Sequence, residues 1–274
     1  MKKLKALLLT LTLVIIFSSS FSQEMKTPVG VRKLNNKSYD DSEKARKEIL
    51  DLYKDLRLTD VLDGLDLIGL QDIGLMDNNI RPLWRDTEKF SHRITGFAVT
   101  VRYVPTDTRV GENSFSSLEE ANKWKSQQYG RASDAGWVSS GKPGDVVVMD
   151  TGGIFECGNI GSNNSLTWKQ NGFVGIITNG GARDTDEIIR EEKIPVYCRD
   201  GYSTRGVRPG RLIIESYNFP ISCAGVLVFP GDLIVADGDG VIVVPREKAL
   251  QVGKIAHDIM VDDQAGRTKK LEKL

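Results

Sequence analysis

The sequence predicts a single α/β domain, and three observations carry that prediction. Short, continuous runs of Val, Ile and Leu recur from Phe97 onward, the pattern of strands covered on both faces. Stretches with helical spacing fall between several of these runs, near residues 116–130, 185–192 and 246–263. The composition, 40% apolar and 27% charged over 274 residues, is that of a globular chain with a large core in one or two domains. It excludes disordered, collagen-like and coiled-coil classes.

The elements follow in chain order. Lys2, Lys3 and Lys5 precede an apolar run, Ala6–Phe17, and small polar residues ending in Ser20-Phe21-Ser22. A basic start, a short apolar centre and a small-x-small site make a secretory signal peptide of residues 1–22. The run is too short for a membrane span, which needs about 20 apolar residues. The mature chain is therefore expected to be exported, to the periplasm or beyond the cell, with no membrane attachment afterwards. Residues 23–44 read as a polar tether and 45–274 as the domain with its C-terminal helix. Ser42 is a fitting N-cap for a helix reaching Leu56, with Ile49, Leu52 and Leu56 on one face. A second helix follows Thr59, with Val61, Leu62, Leu65 and Ile68 together. Strands are predicted at Phe97–Tyr103, Asp145–Met149, Phe173–Thr178, Pro195–Tyr197, Leu212–Glu215, Gly225–Phe229, Leu233–Ala236 and Val241–Val244. Pro143-Gly144-Asp145 and Pro230-Gly231-Asp232 each open an apolar run that ends in Asp, at Asp150 and Asp237. That repeat reports a tight turn before a buried strand and no chemistry.

Charge and rare residues narrow the function. Lys+Arg and Asp+Glu are both 37, and losing Lys2, Lys3 and Lys5 with the signal peptide leaves about −3. Nucleic-acid binding needs clustered positive charge, so that partner is excluded. His92 and His257 are the only histidines, too few for a three-histidine metal site. Cys157, Cys198 and Cys223 lack C-x-x-C spacing and read as small buried residues.

Two glycine-rich stretches follow buried strands, where α/β folds bind ligands. In Asn179-Gly180-Gly181-Ala182-Arg183-Asp184-Thr185-Asp186-Glu187, Arg183 offers a fork for a carboxylate and Asp184 a hard oxygen for a divalent cation. Asp184 with Glu187 also matches a helix-capping pair, and both readings stand. Asp150-Thr151-Gly152-Gly153, continuing through Gly158 to Asn164, fits an anion nest beside Arg183 or plain turns. Asp237-Gly238-Asp239-Gly240 hints at a calcium loop, but Val241 breaks the spacing and a hairpin turn is expected. Asp262 and Asp263, near His257, read as a solvated helix face.

Taken together, Gly161, Gly180-Gly181-Ala182-Arg183-Asp184-x-x-Glu187, Pro220–Gly225 and Pro230–Val241 resemble one family. Leu58–Leu65 and Ile80-Arg81-Pro82-Leu83-Trp84 share the likeness, which covers roughly residues 47–250. It is similar to the regulator of ribonuclease activity A-like family, which includes 4-hydroxy-4-methyl-2-oxoglutarate aldolases. The resemblance implies an α/β/α sandwich of the swivelling phosphohistidine-domain type, assembled as homotrimers or hexamers. It implies a site in which Arg183 binds the carboxylate of a pyruvate-like substrate and Asp184 holds Mg²⁺ or Mn²⁺. Backbone amides after Gly161, at Ser162, Asn163 and Asn164, would bind the substrate. Glu187 would stand behind the metal ligand, and Asp262 or Asp263 would reach it from a neighbouring subunit. One departure is that Ser162 stands where the aldolases carry Glu or Asp. Another is the longer segment 105–142, whose Trp124 and Trp137 are expected at the pocket mouth. The implied function is a metal-dependent lyase acting on a 2-oxo acid, by retro-aldol cleavage or oxaloacetate-type decarboxylation with release of pyruvate. The alternatives are a binding module that restrains a ribonuclease, which export argues against, and a sugar-acid lyase using the same pocket. No glycine-rich nucleotide fingerprint supports methyl transfer.

Overall fold

The computed structural model describes residues 39–106, 115–131, 136–154, 156–199, 203–207 and 211–273, so the signal peptide and most of the tether lie outside the described residues. Helix α1 (Glu43–Tyr53) starts at Ser42, whose hydroxyl accepts a hydrogen bond from the Ala45 amide at 3.2 Å. That is the expected N-cap. Helix α2 (Leu58–Leu67) follows at once and buries Leu58, Val61 and Leu65. Then come β1 (Ile80–Pro82), β2 (Ile94–Pro105), α3 (Leu118–Arg131), β3 (Asp145–Asp150), β4 (Gly158–Ile160) and α4 (Ser162–Gln170). The remainder is β5 (Phe173–Thr178), β6 (Gly181–Ala182), β7 (Val196–Arg199), β8 (Leu212–Tyr217), β9 (Ile221–Cys223), β10 (Val226–Val228), β11 (Leu233–Asp237), β12 (Gly240–Val244) and α5 (Ala249–Leu271).

The main sheet is mixed, with strand order β1-β7-β5-β3-β2-β11-β12 and β8 also paired to β2. β2, β3, β5 and β7 run parallel, whereas β11 pairs antiparallel with both β2 and β12. The two Pro-Gly-Asp turns set the strands on either side of β2. Gly144 and Gly231 take φ of +86° and +84°, a conformation that side chains disfavour. The aspartate after each glycine accepts from the amide just before its turn, Lys142 to Asp145 at 2.7 Å and Phe229 to Asp232 at 2.8 Å. The repeat is thus architectural, as the sequence indicates. The Asp237–Gly240 segment is a hairpin turn, with Asp237 opposite Gly240 in the β11–β12 register.

The layered sandwich implied by the resemblance is not what the strands build, because the sheet curls around its own core. Residues 74–76 bond to the outer edge of β12, Met76 N to Val241 O at 3.0 Å and Val243 N to Gly74 O at 2.8 Å. The chain then enters β1 at the opposite edge of the sheet, so the sheet nearly closes. Ala98, Val146, Val148, Ile177, Tyr197 and Ile234 fill its inside with the β9–β10 hairpin. Alternate residues of the same strands face outward. Val147, Met149 and Ile176 pack with Trp137 and Trp168; Leu233, Val235 and Ile242 pack against α1, α2 and α5. Runs buried on both faces fit a sandwich and a curled sheet equally well, so the sequence pattern alone did not separate them. Trp137 is fully buried against Trp168 and Phe173, with ring centroids 5.2 and 5.9 Å away. It is a core residue, contrary to its expected place at a pocket mouth. Trp124 packs on Phe115, 5.4 Å between centroids. Cys157, Cys198 and Cys223 are buried and joined by no disulfide. No helix among the described residues is long and apolar enough to cross a membrane.

Candidate functional site

The site forms where two loops leave the sheet side by side. After β3 the chain reaches Thr151, and after β5 it reaches Asn179. The Asn179 side-chain oxygen accepts from the Thr151 amide at 2.7 Å and from its hydroxyl at 2.9 Å. Thr178 donates its hydroxyl to Asn159 at 3.1 Å and accepts from the Gly180 amide at 2.9 Å. All four side chains are buried, so this network fixes one loop against the other. Beyond it β4 and β6 pair in parallel, and the Arg183 amide donates to Ile160 at 2.9 Å. Arg183 is thereby set beside Gly161.

Arg183 and Asp184 are about 40% exposed and form one unit, Arg183 Nε donating to Asp184 Oδ1 at 3.2 Å. The two terminal guanidinium nitrogens and Asp184 Oδ2 have no partner among the described residues. Asp184 takes φ +54° and ψ +38°, left-handed, immediately before the short helical turn Thr185–Glu187. Its side chain makes no capping bond there, so the capping reading fails and the carboxylate is left for the cleft. The close approach explains two glycines. A Cβ on Gly161 would lie 2.7 Å from Asp184 Oδ2, and one on Gly158 would lie 2.9 Å from the Ser203 carbonyl and 3.1 Å from Arg183 Cγ.

Around this pair is a polar cleft of about 210 Å³, lined by Gly158, Asn159, Gly161, Asn163, Asn164, Arg183, Asp184, Gly206 and Val207. Gly161 is the N-cap of α4, a helix where the sequence reading expected only a glycine-rich loop. The amides of Ser162 and Asn163 have no hydrogen-bond partner among the described residues, while the Asn164 amide donates to Gly161 at 3.0 Å. Two of the three predicted amides are thus free, and the third is spent on the first turn of the helix. Of the predicted residues, Gly161, Asn163, Asn164, Arg183 and Asp184 meet in this cleft; Ser162 begins the helix beside it. Glu187 is exposed and lines no part of it. Asp262 and Asp263 stand exposed on α5, where Asp263 accepts from Arg57 at 2.8 Å, so within one copy they do not join the site.

Of the glycine-rich stretch expected beside Arg183, only Gly158 to Asn164 lies there. Gly152 and Gly153 border a different cleft, with Asp77 and Asp150, and the Gly152 amide is taken by Asp150 at 2.8 Å. The sequence reading missed Gly206 and Val207. Gly206 reaches the cleft through a bridge to Gly158 and its neighbour Arg205 accepts from the Gly158 amide at 2.6 Å, a tertiary contact without a local motif. The thiol of Cys157, in the bend just before β4, is pushed up by burial, which disfavours the reactive thiolate.

A family model described as RraA-like, Aldolase/RraA, matches residues 58–243. Protein DlpA of Legionella pneumophila is 28% identical over 193 residues, 70% of this chain and 27% of that protein. A protein of Halalkalibacterium halodurans, provisionally named 4-hydroxy-4-methyl-2-oxoglutarate aldolase, is 36% identical over 126 residues, 45% of this chain. The chain matches 57% of the length of that relative. RraAS2 of Streptomyces coelicolor, described as an unusual member of the RNase ES inhibitor RraA family, shares the fold, with a TM-score of 0.64 at 24% identity over 84% of this chain and 99% of that one.

Proposed function

The chain belongs to the RraA-like aldolase family, and from that premise we propose that it is a divalent-metal-dependent lyase that breaks a carbon–carbon bond of a 2-oxo acid and releases pyruvate. The observation that carries this reading is the Arg183–Asp184 unit, with its outer guanidinium nitrogens and one carboxylate oxygen unspent at a polar cleft.

The residues divide the task by their chemistry. The free fork of Arg183 takes the substrate carboxylate by two parallel charge-assisted bonds, fixing its orientation. The Ser162 and Asn163 amides at the start of α4 stand ready for an anionic oxygen of the substrate. Asp184 would hold Mg²⁺ or Mn²⁺, and the donor set fits. Its free Oδ2 is a hard oxygen cradled over Gly161, where a Cβ would fill the space. One carboxylate with substrate and water oxygens is an ordinary Mg²⁺ environment, in keeping with the lack of any group of three His, Cys, Asp or Glu among the described residues. When bound, the metal supplies positive charge beside the enolate oxygen that develops as the bond breaks. Arg183 Nε, bonded to Asp184 Oδ1, holds the carboxylate in position throughout.

We extend the proposal to assembly and location. From residue 261 onward α5 is exposed on every face, and such a short isolated helix is marginal in water. A homotrimer or hexamer would cover it and bring Asp262 or Asp263 of one copy to the site of another. Export follows from the signal-peptide pattern of residues 1–22. The test is a metal-dependent pyruvate-release assay over 4-hydroxy-2-oxo acids, oxaloacetate and sugar acids. Release that requires Mn²⁺ or Mg²⁺ and Asp184 supports the lyase. A protein that Mn²⁺ does not stabilise, and that releases no pyruvate from any of them, belongs instead with a non-catalytic binding role.

A further inference from the structure

A second cleft, also of about 210 Å³, lies between the β1–β2 loop and the β11–β12 hairpin, and its arginines and carboxylates do not pair with one another as they do elsewhere in the molecule. Arg57, Arg85 and Arg93 border it with Asp86, Asp237 and Asp239. Two of the three carboxylates are spent on backbone amides. Asp86 accepts from the amides of Glu88 and Lys89 at 3.0 Å and from the Ser91 hydroxyl at 2.7 Å. Asp237 accepts from Leu58 at 2.9 Å and Asp239 at 2.8 Å. The Asp239 side chain is exposed at the rim.

Of the arginines, Arg57 is committed to Asp60 and to Asp263. Among the described residues Arg85 reaches only a carbonyl, that of Gly238, and Arg93 makes no side-chain hydrogen bond. The Arg93 guanidinium lies 4.4 Å from the centroid of the Phe90 ring, and its Nε is buried without a partner. Phe90 is itself unusual, an aromatic residue at φ +53° with 47% of its surface exposed. Strained residues of this kind cluster at ligand clamps, and a buried unpaired N–H calls for an explanation. Two guanidinium groups without carboxylate partners among the described residues and an aromatic face meet in one small cleft. That arrangement suits a compact anion that accepts bidentate bonds.

We propose that this cleft binds a small doubly charged oxyanion, with the chemistry of a phosphate or a dicarboxylate, between Arg85 and Arg93. The site is separate from the Arg183–Asp184 cleft and does not depend on the lyase reading.

The experiment uses the two histidines as reporters in the full mature chain. His92 lines this cleft, whereas His257 lies in a groove between α1 and α5. Inorganic phosphate, and malonate in a parallel arm, are titrated into histidine-labelled protein at constant ionic strength, and both ring resonances are followed. The expected result is a saturable shift of His92 alone; the tighter of the two anions identifies the group the cleft prefers. Arg85→Gln and Arg93→Gln should each weaken binding by about tenfold or more, the scale of one charge-assisted bond. Arg93→Lys, which keeps charge and loses the fork, should weaken it less, and Arg183→Gln should leave it unchanged. Should Arg93→Gln disturb the spectrum as a whole, Arg85→Gln decides, since Arg85 holds only a carbonyl. No shift with either anion, equal shifts of both histidines, or wild-type affinity in Arg85→Gln would overturn the proposal.

Discussion

At Asp184 the sequence offered a helix cap or a metal ligand, and the geometry separates the two. The side chain makes no capping bond, so Asp184→Asn should leave melting without metal nearly unmoved. Pyruvate release should fall by about 10²-fold or more, comparable to the loss of one oxyanion donor. Arg183→Lys should keep the charge and lose the bidentate fork, raising KM in the same assay. Gly161→Ala probes the same contact from the other side. Its new Cβ would press on Asp184 Oδ2, a movable side-chain end, so activity should drop while circular dichroism and melting stay close to wild type. His92 supplies a pH test. Burial first, then the neighbouring Arg93, lowers its pKa from the ordinary 6.5. Below 6.5 the unfolded chain takes up a proton that the folded state resists. The stability it contributes is therefore complete above that pH and is lost as pH falls through the folded pKa. Chemical denaturation across pH 5–8 should show this slope, and His92→Gln should flatten it.

Among the elements, the pairing of β3 with β2 depends on a buried charge. Asp145 accepts from Arg46 of α1 at 2.7 Å, both side chains under a tenth exposed, and also closes the Pro143-Gly144 turn through Lys142. Arg46 in turn lies 4.3 Å from the centroid of the Phe97 ring on β2. Asp145→Ala removes this buried partner and leaves Arg46 with Asp41 at 3.3 Å and the Pro143 carbonyl at 3.2 Å, so denaturation should show a loss of about 1.5–3 kcal/mol. Trp137→Ala should cost about 3–5 kcal/mol as well, by opening a cavity against Trp168 and Phe173. That loss would establish Trp137 as core and not as a pocket lip. Helix α4 escaped sequence reading because Ser162-Asn163-Asn164-Ser165 favours turns, and only Ser165 and Trp168 of the helix are buried. Its start nevertheless supplies the free amides of the site.

For the whole molecule, the exposed end of α5 and the Asp262–Asp263 pair make assembly a measurable matter. Light scattering should give a trimer or a hexamer, and a stable monomer at micromolar concentration would remove the shared-site proposal. Intact mass of protein from the native host should place the mature terminus near Gln23; a full-length product retained inside the cell would remove export.

The sequence by itself determined the α/β class, most strands and the positions of the helices before and after them. These rest on local periodicity and turn chemistry, which act within a few residues. It also singled out Arg183, Asp184 and Gly161, because charged residues after a glycine turn at a strand end are locally visible. Tertiary structure decided what local patterns do not encode. The sheet curls because residues 74–76 bond to β12, more than 160 residues away in the chain. Gly206 and Val207 join the cleft because β4 meets them there. Asp184 is free to act because the neighbouring backbone, held to β4, turns its carboxylate toward Gly161 and away from the helix it precedes. A contact between distant residues depends on the packing of everything between them, and no window of sequence contains it.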